Sequence, residues 1–273
     1  MGLLPIIMPG NGGPFRLTAL TLDGSTSLPS SSADPGRSKS MLFNAAGTQI
    51  NFADEDTDIV YRATLSTAWD VTTRGSWSST VVSTQDDVGI GMAWNADGTK
   101  FFQGTGQGED PTGTDYREFP ISSAYDLTSH GSETASIAGG EGDFVTYVYY
   151  LMASDGSKVI RMYDGKWYES TLSTPYSLAT AGAWSAAVLD LTGTYGTSIT
   201  SADWGRPGRS VILCDEGSGT LREYVLSTDN DFSTATLRDT FNVGVECMSA
   251  RFSDDGSKLY VATNSTIRQY SVG

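Results

Sequence analysis

The sequence is poor in the residues that most enzyme chemistry needs: among 273 residues there is one histidine, His130, and there are two cysteines, Cys214 and Cys247. A lone histidine in a polar stretch, with no partner motif around it, argues against Ser-His-Asp and Cys-His arrangements. No Gly-x-Ser-x-Gly elbow, phosphate loop or zinc cluster occurs. Gly104-x-Gly106-x-Gly108 reads as a flexible insertion without the helix that a dinucleotide site needs. The cysteine spacing fits neither a zinc motif nor a disulfide-dense scaffold, so buried free thiols are expected. Basic residues are scarce as well, 17 against 32 acidic ones, and the formal net charge of −15 opposes binding to nucleic acid or anionic membrane. Long hydrophobic runs are missing. The apolar start has no basic leader, holds Pro5 and Pro9, and is too short to cross a bilayer, so neither a signal peptide nor an anchor helix is expected.

What the chain does have is a repeat. Ala250-Arg251-Phe252-Ser253-Asp254-Asp255-Gly256-Ser257-Lys258-Leu259-Tyr260-Val261-Ala262 reads as strand, turn and strand, and Ile267 to Val272 as a third strand of alternating character. The same turn recurs with glycines at 47, 98, 156, 208 and 256, in steps of 51, 58, 52 and 48 residues, a period typical of propeller blades or solenoid units. A second marker follows the third strands: Leu65-Ser66-Thr67-Ala68-Trp69-Asp70-Val71-Thr72-Thr73, and its counterparts at 121–129, 172–180 and 226–234. Five units result, at about 39–83, 90–138, 147–189, 199–242 and 247–273. The fifth has only three strands, and the orphan alternating strand at 15–24, read as ending at Asp23-Gly24, is the natural donor of its fourth. The expectation is therefore all-β: a five-bladed β-propeller of four-stranded antiparallel blades, the last blade closed by the N-terminal strand, which removes exposed terminal edges.

Phe43, Trp94, Trp204 and Phe252 end the innermost strands and are expected to fill the gaps between blades. Tyr61, Phe119, Tyr168, Tyr224 and Tyr270 recur in the third strands as blade-to-blade core. Trp69, Tyr125 and Tyr176 in the markers suit stacking on sugars if exposed, or packing of the loop onto its own blade. Propeller geometry would gather the carboxylates of the loops between blades, Asp86, Asp87, Glu141, Asp143, Asp190 and Glu246, on one face around the channel. Such a ring is either a cation, sugar or basic-peptide site, with glycoside hydrolysis as a remoter use, or a solvated acidic rim. Asp54-Glu55-Asp56-Thr57-Asp58 lacks the glycine and distal glutamate of a calcium loop. No catalytic residue, metal or cofactor is expected. Residues 1–14 form a Pro/Gly-rich arm whose Leu3, Leu4, Ile6, Ile7 and Met8 are expected to attach the protein to a partner chain or to a copy of itself.

The apolar strand, the Asp-Gly-Ser/Thr-Lys turn, the Tyr-bearing third strand and the Leu-Ser-Thr-x-x-aromatic-Asp marker resemble the propeller repeats of bacteriophage virion proteins and of some bacterial surface proteins, over about residues 15–273. Trp69-Asp70 is not a WD-repeat signature, because it occurs once and lies in the loop after a third strand. The resemblance implies a non-enzymatic structural or adhesive part of a phage particle, such as a tail fibre, baseplate or head appendage. It would be made in the host cytoplasm, bound to other virion proteins and in contact with the host surface or a host glycan. A carbohydrate-binding or adhesion propeller of a bacterial surface is the alternative. The repeated residues are mostly turn and core residues that any user of the scaffold needs.

Overall fold

Alternating apolar strands with a left-handed turn residue between them favour antiparallel hairpins, and the chain folds that way throughout. The computed structural model describes residues 17, 20–29, 39–54, 59–80, 88–105, 115–139, 149–163, 165–192, 199–206, 208–215 and 218–273. The arm at 1–14, Asp86, Asp87, Glu141, Asp143 and residues 55–58 lie outside them.

The first strand, β1 (Leu20–Ser27), precedes blade one, which is β2 (Lys39–Phe43), β3 (Gln49–Asp54), β4 (Ile59–Thr64) and β5 (Ser78–Thr80). Blade two is β6 (Val88–Trp94), β7 (Lys100–Thr105), β8 (Asp115–Pro120) and β9 (Ala135–Ala138). Blade three is β10 (Tyr149–Met152), β11 (Lys158–Tyr163), β12 (Lys166–Thr171) and β13 (Leu189–Asp190). Blade four is β14 (Ile199–Arg206), β15 (Ser210–Asp215), β16 (Thr220–Leu226) and β17 (Ala235–Asn242). Blade five is β18 (Ser249–Phe252), β19 (Lys258–Ala262) and β20 (Thr266–Val272), with β1 as its outer strand. The chain is thus a five-bladed propeller, closed by pairing of its two ends: Leu20 faces Val272 and Leu22 faces Tyr270, antiparallel.

The closing strand departs from the sequence reading in two ways. It does not stop at Asp23-Gly24 but runs on to Ser27, absorbing Asp23 as a bulge between Leu22 and Gly24. There the Asp23 carboxylate accepts from Lys258 Nζ at 2.6 Å and from Ser271 Oγ at 2.8 Å. Leu17, expected in the strand, is instead in 3-10 conformation before it and is fully buried. Gly104 and Thr105, read as part of an insertion, complete β7.

Each marker has one local design. Its aromatic position is left-handed without being glycine: φ is 62° at Trp69, 62° at Tyr125, 56° at Tyr176 and 58° at Asn230. The conformation is held by a bond from that residue's N–H to the carbonyl of its own blade's turn glycine, as from Trp69 to Gly47 at 2.8 Å and from Tyr176 to Gly156 at 3.0 Å. The next residues form a short 3-10 turn, started by a capping Asp70, Asp126 or Asp231 side chain. The turn's first residue, Val71, Leu127, Leu178 or Phe232, is buried.

Among the described residues the apolar core forms five clusters, one at each seam between blades, and each contains one such plug. Val71 lies in the cluster joining blades five and one, Leu127 in one and two, Leu178 in two and three, Phe232 in three and four. Leu17 fills the same place between blades four and five, packed with Ile212, Cys214, Leu221, Phe252 and Leu259. The aromatic ends of the inner strands also pack across seams, as expected: Phe43 stands 4.6 Å from the ring of Tyr260 in blade five. The third-strand aromatics are less uniform than the sequence suggested. Phe119, Tyr224 and Tyr270 are buried, whereas Tyr61 and Tyr168 sit two register positions earlier and are half-exposed, Tyr168 under the guanidinium of Arg161.

The cysteines correct another expectation. They are not free thiols: Cys214 on β15 and Cys247 just before β18 form a disulfide with Cα atoms 6.0 Å apart, both fully buried. Thirty-three residues separate them in sequence, but the neighbouring blades bring them together, a proximity that spacing alone does not reveal.

Candidate functional site

The ends of the five inner strands that carry the large aromatics enclose a funnel on the ring axis, with a volume of about 230 Å³. Its wall includes Phe43 of β2, Trp94 of β6, Met152 of β10, Trp204 of β14 and Arg251 of β18. Tyr125 and Tyr176 reach its edge from the markers. The rings are fixed rather than free. Trp94 packs edge-on against Tyr125 at 5.5 Å, the Trp204 indole N–H donates to the Met152 carbonyl at 2.7 Å, and the Tyr176 hydroxyl donates to the Ser154 carbonyl at 2.5 Å.

Three charged side chains share the funnel: Asp203, Arg251 and Asp254. Arg251 Nη1 donates to both carboxylate oxygens of Asp203, at 3.1 and 2.9 Å. Asp254, next to the turn that follows β18, makes no hydrogen bond among the described residues. Burial pushes the carboxyl of Asp203 above the usual aspartate range, and the charge of Arg251 offsets this only in part, whereas Asp254 is exposed. One guanidinium therefore serves two carboxylates, and the funnel holds one negative charge in excess. Among the described residues no group of three or more His, Cys, Asp or Glu side chains is placed to hold a metal ion.

The carboxylates singled out in the sequence lie elsewhere. Asp190 and Glu246 precede inner strands, at the end of the ring opposite to the funnel, and both are exposed. Asp190 accepts from the N–H and hydroxyl of Thr192, which hold its carboxyl below the usual range. Glu246 accepts from Asn264 Nδ2 at 2.6 Å. The marker aromatics are half-buried, not exposed platforms: a Cβ on Gly47, Gly98 or Gly156 would fall within 2.6 Å of the Trp69, Tyr125 or Tyr176 ring. His130 follows the second 3-10 turn, its Nδ1 3.0 Å from the Gly131 carbonyl and its ring edge-on to Phe119. The sequence reading missed Asp203, Arg251 and Asp254. Asp254 was visible as the residue before the Asp255-Gly256 turn, but Asp203 meets Arg251 only because the inner strands of blades four and five are neighbours.

No protein family and no curated protein matches the chain. Among solved structures, it is similar to a functionally unknown protein from Desulfotomaculum acetoxidans DSM 771, with a TM-score of 0.50 and 10% identity over 87% of this chain and 65% of that protein. The chain thus spans slightly less than two-thirds of that protein's length. It is also similar to a chain of the Mitotic Checkpoint Complex, with a TM-score of 0.48 and 12% identity over 99% of each chain. Likeness at 10% identity speaks for the β-propeller fold alone.

Proposed function

We propose that this chain is a non-enzymatic contact protein, a structural component of a bacteriophage particle in a tail fibre, baseplate or head appendage. On this reading the axial funnel takes a basic side chain, Lys or Arg, of a partner chain. The observation that carries the contact role is the charge imbalance of the funnel: Arg251 is engaged with Asp203, and Asp254 lines the same funnel as the aromatic rings without a hydrogen-bonding cation among the described residues. A carboxylate that is open to solvent and stands next to rings with electron-rich faces favours an incoming ammonium or guanidinium group. The particle assignment rests on the resemblance of the repeat.

The test is titration with short peptides that differ in one central Lys, Arg or norleucine. Saturable binding of the basic peptides, lowered about tenfold or more by Asp254→Asn, is expected; equal binding of the norleucine peptide would sink the funnel reading. Because the cation prefers the ionised carboxylate, affinity should fall as pH drops through the range in which Asp254 is protonated. For the particle role, removal of residues 1–14 should abolish incorporation into virions or lower the oligomer size, and unchanged assembly would count against it. The surface-adhesion alternative is favoured by one observation, the position of Tyr125 and Tyr176 at the funnel edge beside carboxylates, and a glycan array separates it from peptide binding.

A further inference from the structure

The funnel is unlike on its two sides. Along the arc made by blades two, three and four its wall is Trp94 with Tyr125, Met152 with Tyr176, and Trp204. The polar tips of these rings are turned into the protein. The Tyr125 hydroxyl donates to the Ala96 carbonyl at 3.1 Å, the Tyr176 hydroxyl to the Ser154 carbonyl and the Trp204 N–H to the Met152 carbonyl, while Trp94 Nε1 is buried. What the arc offers a ligand is therefore ring carbon. Trp94 and Trp204 keep part of their surface open, unlike Phe43 and Phe252, which end the inner strands of blades one and five and are buried in the seams.

The charged groups stand across from that arc. The seams place the blades in chain order around the ring, so blade five, which carries Arg251 and Asp254, faces blades two and three. Arg251 is held on Asp203. Two further polar side chains of the wall are committed within the protein: Asn95 Oδ1 accepts from the Lys100 N–H at 2.8 Å, and the Ser154 hydroxyl donates to Asn230 Oδ1 at 3.2 Å. Asp254 is exposed and lines the funnel, and its carboxylate is the acceptor that an entering group meets opposite the rings.

We infer that the funnel selects arginine over lysine, an inference that rests on the reading of the funnel as a socket for a basic side chain. A guanidinium is planar and weakly hydrated, and it presents both a face that stacks on aromatic carbon and an edge with two parallel N–H groups that fits one carboxylate. With rings along three blades and the carboxylate on another, such a cation lies along the arc and still directs its edge to Asp254. An ammonium instead carries three donors about one nitrogen and a tightly held water shell. One carboxylate and a wall of ring carbon replace only part of that shell, so lysine keeps its water and gains less from entering. Trp94 and Trp204 are on this account the specificity residues, and Asp254 supplies the attraction that both cations share.

The test is calorimetric titration of the whole chain with four peptides of one sequence that differ at a central Arg, Lys, citrulline or norleucine. Arginine should bind about tenfold or more tighter than lysine, the scale of one charge-assisted hydrogen bond. Citrulline, which keeps the shape without the charge, should lose about tenfold against arginine. Trp94→Leu should bring arginine to within about threefold of lysine and leave lysine nearly unchanged, with a thermal melt to show that the ring is intact. On the wild-type chain the indole ring currents should move the δ-methylene protons of the bound arginine upfield, a readout that needs no variant. Lysine binding as tightly as arginine, with both above norleucine, or an arginine preference untouched by Trp94→Leu, would overturn this inference and leave the basic-socket reading standing. Norleucine binding as tightly as the others would remove that reading and this inference with it.

Discussion

The seam between blades two and three and the seam between blades four and five do the same job with different chemistry. Both bury an apolar plug, Leu178 in one and Leu17 in the other. In the first, the plug's backbone N–H donates to Glu118 and the Tyr176 carbonyl accepts from Lys100. In the second, the Cys214–Cys247 disulfide lies in the same cluster as the plug, and Arg251 of blade five pairs with Asp203 of blade four. The difference follows from chain connectivity. A plug inside a continuous blade is tethered on both sides and needs only weak polar guidance, whereas the plug at the closing seam belongs to a segment held to its blade by one strand pair.

The sharpest way to break the comparison is at the plugs. Leu17→Ala should cost about 2–5 kcal/mol, the usual range for a fully buried leucine, measured by denaturant unfolding in oxidised protein. Leu178→Ala should fall in the same range, and a loss at Leu17 below about 1 kcal/mol would show that the closing seam does not depend on it. Next in size come the polar contacts of Glu118 and Lys100 with the segment around Leu178. Glu118→Ala leaves the Leu178 N–H without its acceptor and Lys100 with the Tyr176 carbonyl but no carboxylate, a loss of about 1–3 kcal/mol, while Glu118→Gln keeps an acceptor and should lose less.

Gly156→Ala should cost about 1–2 kcal/mol or more. Its φ is +71°, and the added methyl would meet the Tyr176 ring at 2.4 Å. Tyr176→Asn, which copies Asn230 of blade four, should be milder, and thermal melts of the two variants would rank them. The smallest effect expected is electrostatic. Burial raises the pKa of Asp23, but hydrogen bonds from Lys258, Ser271 and Gln269 and the Lys258 charge outweigh it, so its carboxyl lies below the ordinary value of 3.8. A carboxyl depressed by folding stabilises above its unfolded pKa and loses that contribution as pH falls through the folded one. Asp23→Asn should therefore flatten stability against pH below about 4, and an acid limb as steep as wild type would exclude Asp23 as a source.

The ring was legible because its turns and markers are local. The Asp-Gly turn needs a left-handed residue, and the marker's aromatic and apolar positions recur at fixed offsets, so five blades and a strand from the other end follow from spacing. Leu17 was misread for a physical reason. Phe15-Arg16-Leu17-Thr18 has the marker's aromatic and apolar positions, but Arg16 stands where Asp70, Asp126 and Asp231 stand, and no Leu-Ser-Thr precedes it. Its alternation then reads as strand. The buried second position of the third strands, Val60, Tyr116, Trp167, Leu221 and Ile267, escaped notice because residues of such different shape share no pattern, only a register. The funnel charges were harder still: Asp203 and Arg251 are 48 residues apart in sequence and meet only after the blades close. The acidic loops drew attention because carboxylates are easily counted, while burial and pairing, which decide whether a charge has work to do, are properties of the folded ring.

The facing of Leu20 by Val272 sets a mechanical boundary condition for the whole disc. Any polypeptide upstream of the closing strand and any polypeptide downstream of the last one depart from a single corner of the rim. A load applied through both must first draw Leu17 from between blades four and five and then peel that corner in a zipper geometry, one residue pair at a time, while blades one to three feel almost none of it.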